Sequence, residues 1–146
     1  LDGQRRRHFP PERNRLAAHL TIFHALPPSL EEEVRGQLKA SSAGPPPAAT
    51  IAGLINLGGW VAYRVVSSDL AMIRETIAAH FHGALTAQDG GGWRAHVTIQ
   101  NKVTSRAAKE LFDQLEREFR PRAMAIHALA LHRYLGGAHR RYELAN

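Results

Sequence analysis

The chain has 146 residues, 44% hydrophobic and 22% charged, with net charge +6 and no cysteine. This is an ordinary globular composition for one domain or two small lobes sharing a core, and it excludes disulfide scaffolds, thiol chemistry and Cys-ligated metal sites. No run of 18 apolar residues occurs and no apolar segment follows Arg5-Arg6-Arg7, so neither a membrane span nor a signal peptide is expected, and the cytoplasm is the default compartment. Of the 19 cations 16 are arginine, whose planar fork matches phosphate. The charge therefore leans toward phosphorylated or nucleic-acid partners, although GC-rich coding produces the same bias.

In chain order, few strand-forming residues precede Arg5. Residues 17–24 alternate and are rich in β formers, which predicts a strand ended by Pro27-Pro28. Ser29 is placed to cap a helix whose face carries Leu30, Val34 and Leu38, with Glu31-Glu32-Glu33 favourable in its first turn. A Pro-rich loop over 41–49 leads to strands at 50–57 and 60–66, joined as a hairpin by Gly58-Gly59. A linking helix over about 68–82 turns Leu70, Ile73, Ile77 and Phe81 inward and closes at Gly83. Gly90-Gly91-Gly92 is a flexible approach to a strand at 94–100. A helix from Ser105 to Phe119 and strands near 123–134 and 138–144 complete the chain.

Two halves of this pattern repeat. Ala18-His19-Leu20-Thr21-Ile22 returns as Ala95-His96-Val97-Thr98-Ile99, 77 residues later. The same offset carries Leu26, Leu30, Val34 and Leu38 onto Val103, Ala107, Leu111 and Leu115, and Leu57-Gly58-Gly59 matches Leu135-Gly136-Gly137 at 78. The expected fold is α+β: duplicated β-α-β-β units, built mainly from 17–66 and 94–144, with two antiparallel sheets facing each other.

Side chains alternate across a strand, so His19, Thr21 and Phe23 share one face, as do Arg94, His96, Thr98 and Gln100. If a pseudo-two-fold axis relates the halves, both His/Thr pairs converge in a central cleft. That set suits phosphoryl transfer without a metal. One neutral imidazole accepts a proton from the attacking oxygen, a protonated one donates to the leaving oxygen, and the threonine hydroxyls hold non-bridging phosphate oxygens. A single His-x-Thr is common by chance. Two copies at the repeat offset are not.

With these residues, His19-Leu20-Thr21-Ile22 and His96-Val97-Thr98-Ile99 at their spacing, the chain resembles the two-histidine (2H) phosphoesterases, in the 2′-5′ RNA ligase and cyclic phosphodiesterase branch. Arg7-His8-Phe9-Pro10 is similar to a bacterial subgroup. The resemblance implies a bilobal fold around a central groove and metal-independent, cofactor-free action on RNA ends or nucleotides carrying 2′,3′-cyclic phosphate or 2′-5′ linkages. It makes His19 and His96 the acid–base pair, with His19 the acid and His96 the base in an assignment that the symmetry leaves open. Thr21 and Thr98 become phosphate binders. Two features depart from the family: the few residues before Arg5 are not expected to supply the usual first strand, and Gln100-Asn101 intervene before the basic Lys102. A binding module without efficient chemistry and a phosphodiesterase of a small metabolite stay open as alternatives, as does the oligomeric state.

Weaker signals surround this pair. Arg94 and Lys102 are candidate phosphate contacts, with Arg64, Arg133 and Arg141 behind them. Phe23 is the first candidate for base stacking, ahead of Trp60, Tyr63, Trp93 and Tyr134. His24, facing away from His19, is expected to be buried or to pack between lobes, and His8 to hold the loop before the first motif. His80 and His82 lie about 200° apart on a helix end and are expected to be solvated. His127, His132 and His139 have no carboxylate partners and suggest no metal site. The runs Arg5-Arg6-Arg7 and Arg140-Arg141 are read as solvated, or as contacts to RNA backbone.

Overall fold

The computed structural model describes residues 1–136 and the backbone of residues 141–144, so the expectations for Gly137, His139, Arg140 and the Arg141 side chain lie outside the described residues. Alternating apolar residues form β1 (Ala49–Asn56) and β2 (Val61–Val66), an antiparallel hairpin. Its turn uses Gly58 at φ +84°, a conformation that side chains with a Cβ disfavour. Gly59 is required for a different reason. A Cβ there would stand 2.6 Å from the Val103 carbonyl oxygen, because the turn at 101–103 is drawn against it.

This hairpin is the middle of a four-stranded antiparallel sheet. β2 pairs outward with β3 (His96–Gln100), and β1 with β4 (Arg122–Met124), in the order β3-β2-β1-β4. The helix near Ser105 forms as the spacing predicts, capped by the Thr104 hydroxyl on the Ala107 amide at 3.2 Å. Together with α1 (Asp2–His8), α2 (Glu31–Ser41), α3 (Ser68–His80) and α4 (Ala87–Gly90) it makes five α-helices among the described residues, and it is named α5 (Ser105–Glu118). Ala108 and Leu111 of α5 pack on Ile51, Val61, Tyr63 and Ile99 of the sheet, all buried. A second cluster joins α2 to α3 through Val34, Ile77 and Phe81. A third holds Ala49, Val65 and Val97 against Ala18 and Leu20. Beyond the sheet, β5 (His132–Gly136) and β6 (Arg141–Leu144) form a separate antiparallel pair. The class is α+β, and among the described residues no helix is long and apolar enough to cross a membrane.

Four expectations are corrected. The segment 17–24 is not a ladder strand; only Leu20 bridges, to Val97. The hairpin of the first half does not stay with that segment but pairs with β3 of the second half, so the two halves interleave. The strand expected over 123–134 is broken, because β1 begins at Ala49 and offers no partner beyond Met124. Finally, Ser29 caps nothing: Pro27-Pro28 preset a 3-10 turn over Pro28–Leu30, which encloses Ser29 and leaves Leu30 at the head of α2.

Candidate active site

The second motif is held by the sheet. Within β3, Val97 and Ile99 are buried and His96, Thr98 and Gln100 turn to the other side, as the alternation predicts. In register, Arg64 of β2 lies directly opposite His96, and Ala62 opposite Thr98. The His96 ring meets Trp60 of the hairpin turn at 5.3 Å between centroids. Its Nδ1–H donates to the Arg94 carbonyl at 2.7 Å.

The first motif is held by side chains instead. The Ala18 amide donates to Asp2 Oδ1 at 2.9 Å, and Arg5 Nε donates to the Leu16 carbonyl at 3.1 Å. Trp93 Nε1 donates to the Thr21 carbonyl at 3.0 Å, and Arg74 Nε to the Ile22 carbonyl at 3.1 Å. Buried Asp89 then takes the His24 and Ala25 amides at 2.9–3.0 Å, as well as His24 Nδ1 at 3.0 Å. These bonds are the physical reason why a segment with strand propensity needs no ladder: they satisfy several of its backbone groups in the ladder's place. Within it, His19 Nδ1–H donates to the Ala17 carbonyl at 2.7 Å, the same i−2 bond that His96 makes.

The two segments meet at the antiparallel bridge Leu20–Val97. In that register Thr98 stands opposite His19, and His96 opposite Thr21. Leu20 and Val97 are packed in one cluster, so the two histidines and two threonines share the opposite face. The histidines occupy diagonal corners, for which the usual spacing is about 7–8 Å. With Nδ1 committed to a carbonyl, each ring keeps Nε2 for exchange of a proton.

Burial and neighbouring charge both act on the His19 ring. His19 is pulled below the ordinary imidazole value, first by partial burial and then by the positive fields of Arg5, His132 and His96, against the opposing bond to Ala17. Asp89 is lowered too: burial raises its carboxyl, but the Ala25 and His24 amides and the His24 ring outweigh that.

The other expected residues separate. A groove of about 1900 Å³ is lined by His19, Thr21, Phe23, Lys102 and His132, whereas His96, Thr98 and Arg94 do not line it. Phe23 lines the groove beside His19 and Thr21, and its partly buried ring also packs against the Val34–Ile77–Phe81 cluster, with Arg74 5.0 Å from its centre. Lys102 is exposed at φ 56°, its amide held by Asn101 Oδ1. Arg94 is exposed and serves the site through its carbonyl. Tyr63 is a core residue bonded to Gln4, not a stacking platform. His24 is not buried, being 46% exposed, and it leans on Asp89.

Sequence reading missed Arg5, Asp89, Arg74 and the tie between Glu31 and Arg133. Arg5, read as part of a solvated run, is 5% exposed. Glu31 is held down to about 2 by hydrogen bonds from Arg133 and then Arg35, joining α2 to β5. No periodicity marks such partners. Only the excess of arginine over lysine hinted at buried forks.

Comparison with curated proteins gives no match. The family model of the 2′-5′ RNA ligase superfamily matches residues 2–138, a span that takes in both histidine motifs and all the strands of the sheet. The chain belongs to the 2′-5′ RNA ligase superfamily, a superfamily of phosphoesterases.

Proposed function

We propose that the chain is a metal-independent phosphoesterase acting on 2′,3′-cyclic phosphates or 2′-5′ linkages of RNA ends or nucleotides, with His19 and His96 as its acid–base pair. The observation that carries this reading is the Leu20–Val97 bridge, whose register brings two His-x-Thr copies side by side, each imidazole tied to a carbonyl through Nδ1. The repeat and the twin 2.7 Å bonds support a duplicated, bilobal architecture.

In hydrolysis, His19 Nε2 takes a proton from water as its oxygen bonds to phosphorus. The bond from phosphorus to one ribose oxygen breaks, and His96 gives its proton to that oxygen. The lowered His19 supports this order, the reverse of the assignment expected from sequence. Attack by a 5′-hydroxyl instead of water, with the 3′ oxygen leaving, forms a 2′-5′ linkage with the same two proton transfers. Thr21 and Thr98 hold the non-bridging oxygens, and Arg64, Arg94 and Lys102 supply positive field.

The test is turnover of nucleoside 2′,3′-cyclic phosphates and 2′-5′ dinucleotides in EDTA. Wild type should turn over at least one of them, and His19→Ala and His96→Ala should each lose about 10²–10⁴-fold in kcat. The pH profile should be a bell whose acid limb, the titration of His19, lies below 6.5, the ordinary imidazole pKa. Activity lost in chelator and regained with a divalent ion would sink the metal-free mechanism. Nucleotide affinity without turnover, retained in both alanine variants, would make the chain a binding module.

A further inference from the structure

We propose that Arg5 is the positioning residue of the histidine pair: one buried guanidinium spans the two motif segments and sets a permanent positive charge beside His19. The inference rests on the phosphoesterase reading for its kinetic consequence, and on geometry for the rest.

Arg6 and Arg7 of α1 are exposed, while Arg5 points inward at 5% exposure. Its Nε donates to Asn14 Oδ1 at 2.8 Å and to the Leu16 carbonyl at 3.1 Å, just ahead of the first motif. Its Nη1 donates to the Thr98 carbonyl at 2.8 Å, inside the second motif. The guanidinium carbon stands 4.0 Å from the centre of the Phe9 ring, which fixes the plane of the fork. One rigid group thus bonds to backbone on both sides of the site. Lysine, a single point donor on a flexible stem, cannot reproduce that span.

Its charge is also not taken up by a direct ion pair. Among the described residues no carboxylate forms an ion pair with Arg5; Asp2, whose field reaches it, is occupied with the Ala18 amide and Arg6. The charged or titratable groups acting on His19 are Arg5 from α1, His96 from β3 and His132 from β5. Arg5, a guanidinium, keeps its charge as pH rises. Arg5 therefore favours a neutral His19 at every pH at which the enzyme would work, which is the state a general base needs.

The experiment compares wild type with Arg5→Gln, Arg5→Lys and the distant surface control Arg117→Gln, reading His19 by NMR titration together with kcat and KM across pH. In Arg5→Gln the His19 midpoint should rise and the acid limb of kcat should move the same way. The maximal kcat should fall roughly 10–100-fold, with a smaller change in KM. Arg5→Lys should keep the low midpoint but not regain kcat, since charge returns without the fork. A folded Arg5→Gln whose His19 midpoint or maximal kcat equals that of wild type overturns the proposal. If Arg5→Gln does not fold, full kcat in Arg5→Lys overturns the clamp. If wild type turns over no substrate, the phosphoesterase reading fails, and the inference is then decided by the His19 midpoint and by amide exchange at residues 16–21.

Discussion

The two copies of the motif differ in what holds them. His96 rides on a strand whose neighbours are other strands and whose buried side, Val97 and Ile99, faces the core. His19 rides on a segment with one bridge, fastened by Asp2, Arg5, Arg74, Asp89 and Trp93. Nearly identical five-residue sequences thus end in the same local geometry by different means. A ladder shares the stability of the whole sheet, whereas side-chain fasteners can fail one at a time, and those made by carboxylates fail in acid. The His19 copy is therefore the tunable half of the pair.

The largest effect expected on this contrast comes from the core. Ile99→Ala removes a fully buried side chain and should lower global unfolding free energy by about 2–5 kcal/mol, measured by denaturant titration. Both motif copies should then lose protection together. Asp89→Ala should cost less, about 1–3 kcal/mol, because it removes the buried carboxylate that accepts the His24 and Ala25 amides. Its signature is local: faster amide exchange at 18–25 while β2 and β3 stay protected. Equal acceleration in β3 would break the contrast.

Acid gives the smallest and most selective effect. The folded pKa of Asp89 lies below its ordinary 3.8, so its stabilisation is present above that value and is lost as pH falls through the folded value. Glu31, ordinarily 4.5 and held at about 2, follows the same sign and loosens α2 from β5 over that range. Amide exchange below pH 3.8 should show residues 18–25 opening before the sheet. Uniform opening would mean that the fasteners share the stability of the sheet after all.

Much of this was legible from side-chain patterning. The α5 stripe of Leu111 and Leu115, the hairpin at Gly58-Gly59 and the parity of His96 with Thr98 follow from periods of 3.6 and 2. The repeat at 77 residues pointed to His19 and His96 before any fold was known. What periodicity does not carry is pairing between distant segments. Nothing local shows that β2 joins β3 rather than residues 17–24, or that Asp89 reaches back to His24.

The order of strands in the sheet also has a kinetic meaning. Its central pair, β1 and β2, is adjacent in sequence, while its edges, β3 and β4, come from later residues. The hairpin can form early with little loss of chain entropy, and the sheet then grows outward as synthesis proceeds. The His19 segment cannot keep pace with it. It emerges early but waits for Asp89, 65 residues beyond His24, and for Trp93, 72 beyond Thr21. The first of the two histidine motifs to leave the ribosome thus finds its place no earlier than residues 89–93.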